Sequence, residues 1–137
     1  GGRSLAPNAA GAKPRQRVLV VDDDPTVLEL VRRVLTKRGF TVESALGAKE
    51  ALGCLEKGAV DLLLVDKNLP GVGGFEIISR ARKLYPALAA VMMTAAEGIE
   101  DEEKAELQGF ILKPFFRLND LVEVVKNALE LSPSREA

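Results

Sequence analysis

Four places in this 137-residue chain carry side chains whose chemistry is not that of a core. Three consecutive acids, Asp22-Asp23-Asp24, follow the apolar run Val18-Leu19-Val20-Val21. A single acid, Asp66, closes a second apolar run, Leu62-Leu63-Leu64-Val65. Thr94 follows a third run and Lys113, ahead of Pro114, ends a fourth. Carboxylates brought together repel one another, and burying them uncompensated is costly. A hard divalent cation relieves that crowding. An oxygen-only donor set, in a chain with no histidine and one cysteine, points to Mg2+ and excludes the usual zinc sites. Mg2+ keeps waters and takes one or two carboxylates plus a phosphate oxygen, so a phosphorylated visitor is expected. Asp66 then reads as a carboxylate nucleophile towards phosphorus, with Asp22 and Asp23 holding the metal. Lys113 supplies a second positive charge and Thr94 a hydroxyl to the remaining oxygens, which is the positioning and electrostatic work that phosphoryl transfer needs.

Each of these residues has a plainer use when taken alone. Asp at a strand end often caps the following helix, and Asp24, next to Pro25, is assigned that role. A lone Lys113 would be a solvated lysine and a lone Thr94 an ordinary β-branched strand residue. The joint reading depends on elements that bring them together.

Those elements follow from periodicity. Arg17 to Val21, Phe40 to Ser44, Val60 to Asp66, Leu88 to Met93 and Gly109 to Lys113 read as strands. A first helix starts at Pro25, turns Val27, Leu28, Val31, Val34 and Leu35 inward, and stops at Gly39. A second spans Ala48 to Lys57 with Ala51, Leu52 and Leu55 inward, and a third runs from about Phe75 to Leu84. A last one covers residues 118–131, using Leu118, Leu121, Val122, Val125 and Leu129. Strands alternating with helices give βαβ units with right-handed crossovers, hence an α/β fold: a five-stranded parallel sheet of order 2-1-3-4-5 with helices on both faces. Ligands in such sheets bind outside the carboxyl ends of the strands, where all four groups of residues fall.

Composition narrows the function classes. One cysteine, Cys54, makes no internal disulfide, and its place on a helix suggests no special reactivity. The longest apolar stretch, Ala87 to Met93, is too short to cross a bilayer, and no secretory leader is visible, so a soluble, cytoplasmic chain without membrane contact is expected. Residues 1–17 carry four of the 19 basic residues and none of the 20 acidic ones, leaving residues 18–137 at a net charge of −5. An acidic domain gives no electrostatic reason to bind nucleic acid directly. Residues 1–15 and 132–137 read as flexible ends around one domain, 16–131. Phe75, Phe110, Phe115, Met92 and Met93 are expected in the core.

Val20-Val21-Asp22-Asp23-Asp24-Pro25, Val65-Asp66-Lys67-Asn68-Leu69-Pro70-Gly71, Met93-Thr94-Ala95 and Gly109-Phe110-Ile111-Leu112-Lys113-Pro114-Phe115 together resemble a receiver domain of bacterial two-component response regulators. The resemblance covers roughly residues 16–131, with its four motifs in order. It implies that Asp66 is phosphorylated, that Asp23 contacts Mg2+ directly, and that Asp22 reaches it through water. It also implies that Asp66 and the Asn68 backbone carbonyl complete the metal site, that Thr94 is the switch hydroxyl, and that Lys113 pairs with the phosphoryl group. Phe110 stands at the position of a switch aromatic, as Phe where many members carry Tyr. Lys113-Pro114 is expected as a cis peptide. The implied donor is a phosphohistidine on a sensor histidine kinase or phosphotransfer protein. The implied output face for a downstream protein is the fourth helix, fifth strand and fifth helix.

Three departures stand out. Gly73-Gly74 replaces the commoner acid or amide followed by Gly, which suggests a looser loop. The span from Thr94 to Lys113 is about three residues, nearly one turn, shorter than the pattern. It holds six acids, Glu97, Glu100, Asp101, Glu102, Glu103 and Glu106, and few apolar residues, Ile99, Ala105 and Leu107. A short or irregular fourth helix and an unusual output face are therefore expected. No DNA-binding or catalytic output domain is expected from residues 132–137, which fits a stand-alone regulator and a receiver cut from a larger protein alike.

Other functions fit less well. A receiver-like scaffold that binds partners without phosphorylation is the principal alternative, opposed by the retained Asp22, Asp23, Asp66, Thr94 and Lys113. A phosphohydrolase of the haloacid-dehalogenase type would need Asp-x-Asp, whereas Asp66 is followed by Lys67-Asn68. A flavodoxin relative would need a phosphate-binding loop after the first strand. The expected module is thus a switch that promotes only its own phosphorylation and dephosphorylation, not a metabolic enzyme.

Overall fold

The computed structural model describes residues 15–95, 99–113 and 118–131. Apart from Arg15, the end segments expected to be flexible lie outside these residues, as do Glu97, Phe115 and, with Pro114, the expected cis peptide. Along the described chain come β1 (Arg17–Val21), α1 (Pro25–Lys37), β2 (Thr41–Ala45), α2 (Ala48–Lys57), β3 (Leu62–Asp66) and α3 (Gly74–Leu84). Then follow β4 (Ala89–Thr94), α4 (Asp101–Lys104), β5 (Gly109–Leu112) and α5 (Leu118–Leu131). All the strands pair in parallel in the order β2-β1-β3-β4-β5, the expected topology.

Strand alternation sorts the core into two layers. Val18, Val20, Leu62, Leu64, Val91 and Met93 pack beneath α1 and α5. Leu19, Val21, Leu63, Val65, Ala90 and Met92 pack beneath α2 and α3. Every residue of β3 and β4 is buried, as continuous apolar strands covered on both faces must be. Asp24 caps α1 as its position predicts, its carboxylate accepting the Thr26 N–H at 2.9 Å, with Pro25 in the first turn. Beyond the other end, Gly39 turns the chain at φ +96°.

Several expectations are corrected. Phe110 is not core but 40% exposed, and Leu112 is 51% exposed. Ile111 points to the α5 side, so its neighbours point to the α4 side of the edge strand β5. There α4 is a four-residue turn that buries nothing and cannot roof them. The Lys104 ammonium instead sits 5.2 Å from the centre of the Phe110 ring. Leu118 opens α5 at the surface rather than in the core. The Gly73-Gly74 loop is tight, not loose: α3 begins at Gly74, which is buried and donates its N–H to the Lys67 carbonyl at 3.1 Å.

The short α4 is the irregularity the sequence led us to expect. Polar contacts on its far side replace the missing helix. Arg82 of α3 donates to the Glu106 carbonyl at 2.6 Å, to the Leu88 carbonyl at 3.0 and 3.2 Å, and to Gln108 Oε1 at 2.8 Å. Gln108 Oε1 also accepts the Ala90 N–H at 2.8 Å, which fixes the start of β5 against β4.

Two glycines should respond in opposite directions to alanine. A Cβ on Gly74 would lie 2.5 Å from the Asp66 carbonyl oxygen, so Gly74→Ala is expected to lose about 1–3 kcal/mol. Gly53, inside α2, has nothing within 4 Å of such a Cβ, and Gly53→Ala should gain about 0.5–1 kcal/mol. Urea unfolding of the two variants beside the wild type reads both signs.

Candidate functional site

The sheet places a crevice where the chain changes direction across it. From β1 the first crossover leads to β2 on one side, and the next returns past β1 to β3 on the other. Val21 pairs with Val65, so the residues that follow them, Asp22 and Asp66, stand side by side at the carboxyl ends of adjacent strands. Asp66 pairs with Met93, which sets Thr94 one step further along the crevice, and the Lys113 N–H donates to the Thr94 carbonyl at 2.7 Å. The backbone ladder alone thus brings the four groups of residues together.

Their side chains form a compact ionic cluster. Lys113 Nζ lies 2.8 Å from Asp22 Oδ2 and 3.3 Å from Asp66 Oδ2, bridging two buried carboxylates. The remaining oxygens are used too: Asp22 Oδ1 accepts the Asp24 N–H at 2.9 Å, and Asp66 Oδ1 accepts the Asn68 N–H at 3.2 Å. Burial pushes the Asp22 carboxyl above the ordinary carboxylate range, despite the hydrogen bonds from Lys113 and Asp24 that oppose it. Burial acts downward on the Lys113 ammonium, but the hydrogen bond to Asp22 and the charges of Asp22 and Asp66 prevail and raise it.

Asp23 is exposed and turns the pair of acids into a triad. One carboxylate oxygen from each of Asp22, Asp23 and Asp66 lies within 4.8 Å of the others. Opposite ligands of an octahedral Mg2+ are about 4.2 Å apart, at about 2.1 Å from the ion each. Three converging carboxylates beside one ammonium leave an excess of negative charge, and the donors are all oxygen. The residues fit Mg2+.

Thr94 is fully buried at the end of β4, as the last residue of the strand rather than the one after it, and its hydroxyl lies 3.4 Å from the Ala95 carbonyl. Asn68 is exposed on the loop after β3. Phe110 lies on β5, paired with Met92 rather than with Thr94, and is not among the residues gathered at the carboxylates. Cys54 stays apart, its thiol pushed up by burial and by the nearby acids, as befits an unreactive residue. Sequence reasoning missed Lys67, whose ammonium reaches Glu103 of α4 at 3.5 Å. It also missed the need for Gly74, whose Cα closes on the Asp66 backbone. Only the adjacency of Lys67 to Asp66 and of an acid-rich segment to Thr94 could have signalled the ion pair.

Residues 18–126 match the family model of the response regulator receiver domain. The transcriptional regulatory protein TcrA of Mycobacterium tuberculosis is 33% identical over 111 residues, covering 78% of this chain and 44% of that protein. The chain therefore spans less than half of that relative. A CheY-like response regulator receiver domain protein from Methanospirillum hungatei matches with a TM-score of 0.74 and 31% identity, covering 85% of this chain and 94% of that one. The response regulator protein TrrA of Thermotoga maritima, solved in complex with Mg(2+)-BeF, matches with a TM-score of 0.74 and 29% identity, covering 82% and 98%.

Two measurements probe the cluster itself. Mg2+ at ten times its dissociation constant should stabilise the wild type by about 1.4 kcal/mol, seen as a rise in Tm. Asp23→Asn should raise Tm without metal by relieving repulsion, and shrink the Mg2+ response. Because the native Asp22 carboxyl titrates above its unfolded value, the native state holds more protons in that window, so its contribution to stability falls as pH rises through it. Without divalent ions, the wild type should therefore lose stability relative to Asp22→Asn as pH rises from the ordinary carboxylate range towards neutrality, measured by urea unfolding.

Proposed function

The chain belongs to the response regulator receiver domain family, and from that premise we propose that it is a phosphoacceptor switch in which Asp66 takes a phosphoryl group from a sensor histidine kinase or phosphotransfer protein. The observation that carries this reading is the Asp66 carboxylate, held beside Asp22, Asp23 and Lys113 at the open ends of the strands. In the proposed step an Asp66 oxygen attacks phosphorus, an acyl phosphate bond forms, and the bond from phosphorus to the donor's imidazole nitrogen breaks, its electron pair leaving with the imidazole. Mg2+, held by Asp22, Asp23, Asp66 and the Asn68 carbonyl, would supply positive charge for the oxygens of the transferring group. Lys113, already hydrogen-bonded to Asp66, moves with little rearrangement onto a phosphoryl oxygen. Thr94 has its hydroxyl one residue beyond the register partner of Asp66, from where it can turn to another oxygen.

The switch would follow from that turn. Thr94 moving towards the phosphoryl group draws on β4, Phe110 on β5 repacks, and an alternative arrangement of α4, β5 and α5 gains population. This face would meet the downstream protein, and its exposed Phe110 and Leu112 favour an apolar contact. The domain concerned is residues 16–131. Its acidic charge speaks against direct nucleic-acid binding, and among the described residues no helix is long and apolar enough to cross a membrane. A cytoplasmic setting, shared with the phosphodonor, completes the reading. The likeness to TrrA, solved with Mg(2+)-BeF, supports the Mg2+-dependent chemistry. The four-residue α4 favours the second reading, a scaffold that binds partners without phosphorylation.

Acetyl phosphate separates the two. Intact mass should show one phosphoryl adduct on the wild type that requires Mg2+ and is absent from Asp66→Asn. Lys113→Ala should slow its appearance by about 100-fold while leaving the acceptor in place. A folded wild type that takes up neither phosphoryl group nor beryllofluoride would establish the scaffold instead.

A further inference from the structure

The ion pair between Lys67 and Glu103 joins the residue after Asp66 to the segment that departs most from a regular helix. Lys67 Nζ lies 3.5 Å from Glu103 Oε1, and the two side chains are only 22% and 33% exposed. Glu103 also serves its own helix. Its Oε1 accepts the Glu100 N–H at 3.0 Å and closes a reciprocal capping box around the start of α4. The turn it closes is otherwise poorly held. It spans Asp101–Lys104, buries no residue, and its one internal pair, Lys104 with Asp101 at 3.8 Å, uses a carboxylate 98% exposed. Glu100, Asp101, Glu102 and Glu106 crowd Glu103 with like charge. A partly shielded cation from outside the helix therefore offsets some of this repulsion.

The Lys67 backbone is fixed at both of its polar groups. Its N–H donates to the Met93 carbonyl at 2.8 Å, and its carbonyl accepts the Gly74 N–H at 3.1 Å. Movement is left to the four-carbon side chain, which is long and flexible and ends in a compact charge. A phosphoryl group on Asp66 would carry about −1.5 to −2 in place of a single carboxylate charge, one residue away along the chain. Lys113 is already shared between Asp22 and Asp66, so the charge that Mg2+ would leave unbalanced draws on the nearest further cation.

Building on the phosphoacceptor reading, we propose that Lys67 is a further phosphoryl-binding residue of the site. Glu103 holds its ammonium in the resting chain; it moves to the phosphoryl group when Asp66 carries one, and α4 then loses the cation that steadies its single turn. Lys67 thereby couples the charge at Asp66 directly to the order of residues 100–107, a route separate from the movement of Thr94.

The test is amide exchange of Lys104, Glu106 and Leu107, whose N–H groups bond within this turn, read by NMR with and without Mg2+ and beryllofluoride. The fluorine spectrum reports occupancy of the site independently. In the wild type these amides should exchange about two- to five-fold faster once beryllofluoride is bound, the size of a partly exposed ion pair. Lys67→Gln should show the faster exchange already in the resting state, with no further change on binding, and Lys67→Arg should restore the wild-type response. Bound beryllofluoride with unchanged exchange in the wild type, or a Lys67→Gln variant that keeps both the resting protection and the response, overturns the proposal alone. Absence of a bound fluorine signal in folded wild type overturns the phosphoacceptor reading and this proposal with it.

Discussion

Three carboxylates at the mouth of an apolar sheet, with one lysine among them, set the terms for the rest of the molecule. Asp22 is wholly buried and Asp66 nearly so, each following an apolar run, Val18–Val21 and Leu62–Val65. Carboxylates in that position are tolerable only when each oxygen has a partner. Lys113 answers two of them, and the N–H groups of Asp24 and Asn68 answer two more. Lys113 can do so only because β5 ends level with β4, and the Asp24 N–H is in place because α1 starts at Pro25 under its own cap. The cluster is held by backbone that would be placed there anyway, yet it remains over-supplied with negative charge. That surplus makes the site receptive to a cation and to a group that brings its own charge partners.

The strands, the helices and the positions of Asp22, Asp23, Asp66, Thr94 and Lys113 were legible because each depends on local pattern. An apolar run ending in a polar residue marks a strand end, and the topology rule for parallel sheets gathers such ends at one edge. What was not legible depends on contacts across elements. Phe110 and Leu118 are apolar and fall in periodic runs, but burial needs a neighbour to cover them, and the four-residue α4 provides none over Phe110. Gly74 looked like loop freedom, whereas the approach of α3 to the Asp66 carbonyl leaves no room for a Cβ. Nothing in the sequence separates Arg82 from the other cations of α3, and only the fold shows it gathering the carbonyls of Leu88 and Glu106.

The acid-rich segment after β4 shows the same division between what composition fixes and what the fold adds. With few apolar residues it could not bury a long helix, and its Ile99 and Leu107 reach only partial burial against the α2 and α3 side of the core. The chain makes up for this with polar anchors at each end. At the far end Arg82 and Gln108 clamp the Glu106 carbonyl and the start of β5, with burial lowering the guanidinium only against a group whose ordinary value is far above neutrality. At the near end Glu103 pairs with Lys67.

These two anchors differ in what can disturb them. Arg82 binds mainly carbonyl oxygens on elements remote from the carboxylates, so a change of charge at Asp66 leaves its hydrogen bonds alone. The Lys67–Glu103 pair is electrostatic and begins one residue from Asp66, and falls within the range over which a partly buried charge is felt. A charge arriving at Asp66 would therefore loosen the turn hydrogen bonds over residues 100–107 while Gln108 stays clamped to β4. Through this pair the effect would fall on residues 100–107, beside the exposed Phe110, in addition to what the movement of Thr94 transmits through β4 and β5. A shortened helix with one charge-sensitive end can, on this argument, be a more local switch than a full helix packed along its whole length.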